Sequence, residues 1–126
     1  MSYVAFVLDE VSQNECIKRF PSKFPDVYTH HVTLEFGVKS SHIIDQSYLP
    51  LIIVIGYVCD DSLESLIVTV DGNPIRKDGN KYHITLSLDK SKGRKPVDSN
   101  NLVNNTQTNN HIITPFILTG IVKLLF

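Results

Sequence analysis

A chain of 126 residues with 42% hydrophobic and 20% charged side chains has ordinary globular composition and length for a single core. Its net charge of −1 excludes wholesale coating of nucleic acid. Two cysteines, Cys16 and Cys59, are too few for a disulfide framework, and nothing resembles a secretory signal, so a reducing cytoplasm is the expected compartment.

Taken in chain order, Ser2 to Leu8 reads as a buried first strand. Ser12, with Glu15 three residues on, forms a capping box, and Cys16, Ile17 and Phe20 then line one helical face. Pro21 and Pro25 end that helix. Tyr28 to Val38 reads as a strand closed by Gly37, Leu49 to Cys59 as a long apolar strand, and Ser65 to Val70 as another. Asp71-Gly72-Asn73-Pro74 and Asp78-Gly79-Asn80 signal turns, and Lys81 to Leu88 returns to strand pattern. Lys90 to Lys95 is a flexible basic loop, and Ser99 to Val103 one helical turn capped by Asp98 or Ser99. Asn104 to Asn110 is polar, of low complexity and expected to be disordered. His111 to Phe126 supplies one or two final strands, since Pro115, Gly120 and Lys123 interrupt it. The apolar run Leu49 to Val58 is too short for a bilayer, so no membrane association is expected. The expected fold is α+β: one compact domain over 1–126, mainly antiparallel sheet around a central cleft, with one or two helices.

Two phrases within this pattern nearly repeat: His31-Val32-Thr33-Leu34 and His83-Ile84-Thr85-Leu86. Five His and eight Thr predict about 0.3 His-x-Thr triplets by chance, and the chain has two. On a strand, residues two apart share a face, so His and Thr project together while Val32 and Ile84 turn away. Two such strands facing one cleft bring two imidazoles and two hydroxyls around one small anion. Hydrolysis of a phosphodiester needs a base for the attacking oxygen and an acid for the leaving one, and His serves both roles around neutrality. Thr33 and Thr85 then donate to the non-bridging oxygens, where charge grows in the transition state. With one imidazole neutral and the other protonated, the rate is expected to peak around neutral pH.

The doubled His-x-Thr-Leu pattern resembles the 2H phosphoesterase superfamily. Lys95-Pro96-Val97-Asp98-Ser99-Asn100 and the opening from Tyr3 to Leu8 are similar to the cyclic phosphodiesterase modules of fungal-type tRNA ligases and related viral proteins. The chain is short for that superfamily, so elements covering the cleft elsewhere are expected to be missing here. The resemblance implies motif strands related by pseudo-symmetry and metal-independent opening of an RNA 2′,3′-cyclic phosphate to a 2′-phosphate. It implies no cofactor, no metal and no obligate protein partner, with His83 as base and His31 as acid. Viral members degrade cyclic oligonucleotide messengers instead, in the host cytoplasm. A catalytically idle nucleotide-binding module and a structural β-rich domain with coincidental motifs are the remaining alternatives.

The expected catalytic set is therefore His31, Thr33, His83 and Thr85, and the expected substrate contacts are Tyr3, Arg94, Lys95 and Ser99. Seven of the twelve Lys and Arg lie between Arg76 and Lys95, around His83, where a local positive field would draw in a phosphate. The alternative is a solvated polar loop. His30 is expected on the opposite strand face from His31. Glu35 and Asp89 continue the faces of the two motifs, and either orients an imidazole or sits at a solvated strand end. Tyr3, Phe6, Tyr28 and Phe36 pack in the core by default, with one available to stack on a base. Metal-ligand spacing is not recognisable among the five histidines.

Overall fold

The computed structural model describes residues 2–39, 41–45, 47–105 and 109–126. Its elements run β1 (Ser2–Leu8), α1 (Glu10–Arg19), β2 (Asp26–Val27), β3 (His31–Val38), β4 (Ile52–Cys59), β5 (Leu63–Val70), β6 (His83–Leu88), α2 (Ser99–Asn104), β7 (Asn109–Leu118) and β8 (Gly120–Leu125). Two 3₁₀ turns, Lys90–Lys92 and Pro96–Asp98, lie between β6 and α2. The strands form a three-stranded sheet, β3-β1-β8, and a five-stranded one, β2-β6-β5-β4-β7. Every pairing is antiparallel, so the expected α+β class is what the chain adopts.

Both sheets feed one core. Val4, Phe6, Leu8 and Val32 from the small sheet pack with Val54, Leu66, Val68, Ile84 and Leu86 from the large one, and Cys16 of α1 joins them. The far side of the large sheet is closed by α2, whose Leu102 and Val103 meet Val58, Leu63, Ile67 and Leu88. Each such side chain contributes about 1.5–3 kcal/mol of burial, which holds the two layers together. Both cysteines are free and buried.

The sheets are joined at two tight corners. At one, the amides of Tyr28 and Thr29 donate to Leu86 and Thr85 of β6, at 2.8 and 2.9 Å, and the carbonyl of His30 accepts from Leu8 of β1, at 2.9 Å. Residues 28–30 therefore cross from one sheet to the other, and Thr29 makes the turn at φ 45°, a conformation unfavourable for a β-branched residue. This is why β3 starts at His31 and not at Tyr28. The other corner is Thr119, between β7 and β8. Its hydroxyl donates to Asp9 at 2.5 Å and its amide to the Ser12 hydroxyl at 2.7 Å.

Asp9 also caps α1, accepting from the Ser12 amide at 2.8 Å, with Glu10 in the first turn and Lys18 and Arg19 in the last to suit the helix dipole. The capping box expected from Ser12 and Glu15 is thus displaced. Ser12 lies inside the helix and serves Thr119, while Glu15 pairs with Arg19 at 2.6 Å. Ile17, expected inside, is exposed beside buried Cys16. β4 starts at Ile52 because Pro50 has no amide to donate and the Leu51 amide goes to the Asp71 carboxylate, at 2.8 Å. The loop read as flexible is instead a turn over Lys90–Lys92, capped by Asp89 and closed by Gly93 in the left-handed region. The stretch read as disordered centres on residues 106–108, outside the described residues.

Candidate functional site

His31 opens β3 and His83 opens β6, each with its Thr two residues on. All four side chains line one cleft of about 370 Å³, to which both sheets contribute residues. Each motif strand pairs with a neighbour that itself pairs with a third: β3 with β1 and then β8, β6 with β5 and then β4. The two surroundings are not identical, since β3 is the edge of its sheet whereas β6 also pairs with β2.

The repetition extends to an irregularity. In β3 the register steps from Ala5↔Thr33 to Val4↔Glu35, leaving Leu34 as an extra residue. In β6 it steps from Ser65↔Thr85 to Glu64↔Ser87, leaving Leu86 as the extra residue. Each motif Leu therefore sits in a β-bulge, and strict alternation ends at the Thr. The expectation that Glu35 and Asp89 continue the motif faces fails for this reason. Phe36 replaces Glu35 in the cleft wall, and Leu88 replaces Asp89 on the α2 side. Glu35 faces Lys77 at 3.5 Å, and Asp89 caps the following turn at a strand end.

Hydrogen bonds orient the catalytic candidates. His83 Nδ1 lies 2.8 Å from the Lys81 carbonyl, which can only accept, so Nδ1 carries the proton and Nε2 offers its lone pair to the cleft. Thr85 Oγ lies 2.8 Å from Ser99 Oγ, and Ser99 Oγ lies 2.8 Å from Ser65 Oγ. If Ser65 donates to Ser99 and Ser99 to Thr85, the Thr85 proton points to the Pro96 carbonyl, 3.5 Å away, a long bond that a ligand oxygen would replace. Thr33 is 8% exposed and borders the same space. Tyr3 also lines the cleft, its ring 5.5 Å from that of His31 and 5.3 Å from that of Phe36.

Burial lowers the pKa of both imidazoles. That of His31 falls to about 4, first through desolvation and then through the nearby charges His30 and His83 would carry. That of His83 also falls, chiefly by desolvation with help from Arg76, while its bond to Lys81 opposes the shift. A pair straddling neutrality was expected; here both rings favour the neutral form. The sign for stability follows. Between pH 6.5 and about 4 the unfolded chain binds a proton at His31 that the folded chain does not, so stability is lost as pH falls through that window. Allowing for partial solvent screening, the loss is about 2 kcal/mol. His31→Gln is expected to flatten the fall of the urea midpoint between pH 6.5 and 4.5, and a fall parallel to that of the parent would refute the assignment.

The expected substrate contacts divide. Tyr3 is in the cleft; Ser99, Arg94 and Lys95 are not among its lining residues. Ser99 is fully buried behind Thr85 and positions it. Arg94 turns to Asp60, at 2.8 Å, and Asp98. Lys95 is exposed and its amide donates to Asp98, at 2.9 Å. The next residues in that run, Pro96 and Val97, line the cleft instead, as does Asn100. No Lys or Arg is among the described residues lining the cleft, although the charge of Arg76 reaches His83 and helps to lower its pKa. Arg76 is buried and held by Asp78 through two 2.9 Å bonds, under the ring of Phe36. Lys90 lies 5.9 Å from the ring of Tyr28. These two cations thus lie against aromatic residues of the cleft wall without lining the cleft themselves.

His30 was misread. It precedes the strand, so alternation does not govern it, and the turn at Thr29 swings it into the cleft beside His31. Its Nδ1 lies 3.0 Å from His31 Nδ1. The adjacent pair His30-His31 was the only sequence signal for it. Among the described residues no group of three or more His, Cys, Asp and Glu could hold a metal ion, and no helix is long and apolar enough to cross a membrane. Set against family models, curated proteins and solved structures, the chain matches none of them.

Proposed function

We propose that the protein is a metal-independent phosphodiesterase of the 2H kind, acting on a 2′,3′-cyclic phosphate at an RNA end and leaving a 2′-phosphate. The observation that carries this reading is the meeting of two separate His-x-Thr pairs, one from each sheet, in one cleft. His83, with Nε2 unprotonated, takes a proton from the attacking water. Thr33 and Thr85 donate to the non-bridging oxygens as charge builds. His31 returns a proton to the leaving ribose oxygen.

A second reading has its own support. A groove that tracks a long polyanion is lined with Lys and Arg, whereas this cleft is lined by His, Thr, Tyr3, Tyr28 and Phe36. Its 370 Å³ is at the low end of small-molecule pockets, about 300–1,000 Å³. Both features suit a short cyclic oligonucleotide as well as a single RNA end. Either substrate is consistent with a cytoplasmic protein that needs no partner.

The test is incubation with 2′,3′-cyclic-ended RNA and with cyclic di- and trinucleotides, with and without EDTA. EDTA-resistant turnover of the RNA end alone supports the first reading, and of the cyclic oligonucleotides alone the second. Loss of turnover in EDTA that a divalent metal restores would move the protein to another reaction class. Binding without turnover would leave an idle nucleotide-binding module.

A further inference from the structure

The phosphodiesterase reading asks His31 to act as an acid, yet a buried imidazole with a pKa of about 4 holds a proton about once in a thousand at pH 7. No carboxylate and no lysine is among the described residues lining the cleft to supply one. Among the described residues, its titratable lining groups are Tyr3, Tyr28, His30, His31 and His83. His83 is committed through Nδ1 to the Lys81 carbonyl. His30 remains, and it is exposed, so positive charge on it stays solvated.

The two rings meet edge to face, with centroids 5.3 Å apart and planes at 82°, and their Nδ1 atoms are 3.0 Å apart. Two nitrogens at that distance must share one proton, one donating and the other accepting. We propose that His30 is the proton reservoir for His31: an imidazolium at His30 donates Nδ1–H to His31, which holds His31 neutral with its own proton on Nε2, facing the cleft. This rests on the phosphodiesterase reading only for its purpose.

In the reaction, the bond from phosphorus to the leaving oxygen breaks as that from the attacking water oxygen forms. His31 gives its Nε2 proton to the leaving oxygen and takes the Nδ1 proton of His30 at the same time. His30 becomes neutral, His31 stays neutral as the other tautomer, and His83 becomes cationic with the water proton. The buried ring never carries the charge; the exposed one does. Solvent then gives a proton to His31 Nε2 as the Nδ1 proton of His31 returns to His30, and removes one from His83.

His30 is thus a positioning and proton-supplying residue, distinct from the groups that touch substrate. Its test is nitrogen-15 NMR of the imidazoles in the full chain from pH 8 to 5, which reads tautomer and charge at each ring. The expected result is that His31 shows Nε2–H and no charge where His30 becomes cationic, and that His30→Gln removes the coupling. His31 as Nδ1–H in that range, or independent titration of the two rings, would overturn the proposal. The NMR result stands whether or not any phosphodiester is turned over, so a failed pair and a failed phosphodiesterase reading are told apart. In the activity arm, His30→Gln keeps an N–H donor to His31 but supplies no proton. It is expected to lower kcat/KM at pH 7 by about 10- to 100-fold and to move the alkaline limb toward acid, while a p-nitrophenyl phosphodiester, whose leaving group needs no proton, loses less than about 3-fold. An equal loss on both substrates with unmoved limbs would mean that His30 is merely structural.

Discussion

His31→Ala and His83→Ala are each expected to lower kcat on the substrate that is turned over by about 10²-fold or more, because each removes one of two proton transfers. Their melting temperatures should stay within a few degrees of the parent, since both rings border the cleft and their removal enlarges an existing space. Thr33→Ala and Thr85→Ala remove one donor each while leaving proton transfer in place, so about 10- to 10³-fold is expected. The two histidine effects should not multiply. Once one transfer is lost the other has little to act with, and the double variant should fall close to the worse single one. Full activity in either single histidine variant would remove the two-histidine mechanism.

The largest expected effect on stability lies at Gly120. A Cβ built there would stand 2.0 Å from the Val7 carbonyl oxygen and 2.9 Å from its carbon. Those are backbone atoms of β1, held in the ladder where Leu8 pairs with Gly120, so they cannot give way as a side-chain end would. Gly120→Ala should therefore cost about 3 kcal/mol or more, a large part of the 5–15 kcal/mol typical of a whole domain. Gly56→Ala is the control. Its Cβ would meet Ile67 Cδ1 at 3.4 Å and the His111 carbonyl oxygen at 3.5 Å, close to ordinary contact. Thermal unfolding of the two variants checks this, and equal melting temperatures would show that β8 can shift away from β1.

The doubled motif and the α+β class were legible because two-residue alternation is local: six to eight residues carry it without help from elsewhere. The bulges were hidden by the same rule. Leu34 and Leu86 are apolar like any inward strand residue, and only the register against β1 and β5 reveals that they break the count. One unseen step in each strand misplaced Glu35 and Asp89. The basic segment misled for a different reason. Seven cations close together look like a field, but their partners are set by the fold, and Arg94 finds Asp60 across 34 residues of sequence. His30 was lost by extending the strand pattern three residues too far, across a Thr whose left-handed backbone no propensity would suggest.

The crossover at residues 28–30 has a consequence for the kinds of change this protein can tolerate. One half of the cleft hangs from the large sheet and the other from the small sheet, and three residues bonded to both sheets set the spacing between them. A single inserted residue adds about 3.3 Å of chain there, several times the ~1 Å misplacement at which proton transfer already suffers. Length variation is therefore confined to places such as the turn at Asp78-Gly79-Asn80, where Gly79 has open space around it. Between Tyr28 and His31 the chain is in effect a ruler, fixed to the Thr85 and Leu86 carbonyls at one end and to the Leu8 amide at the other.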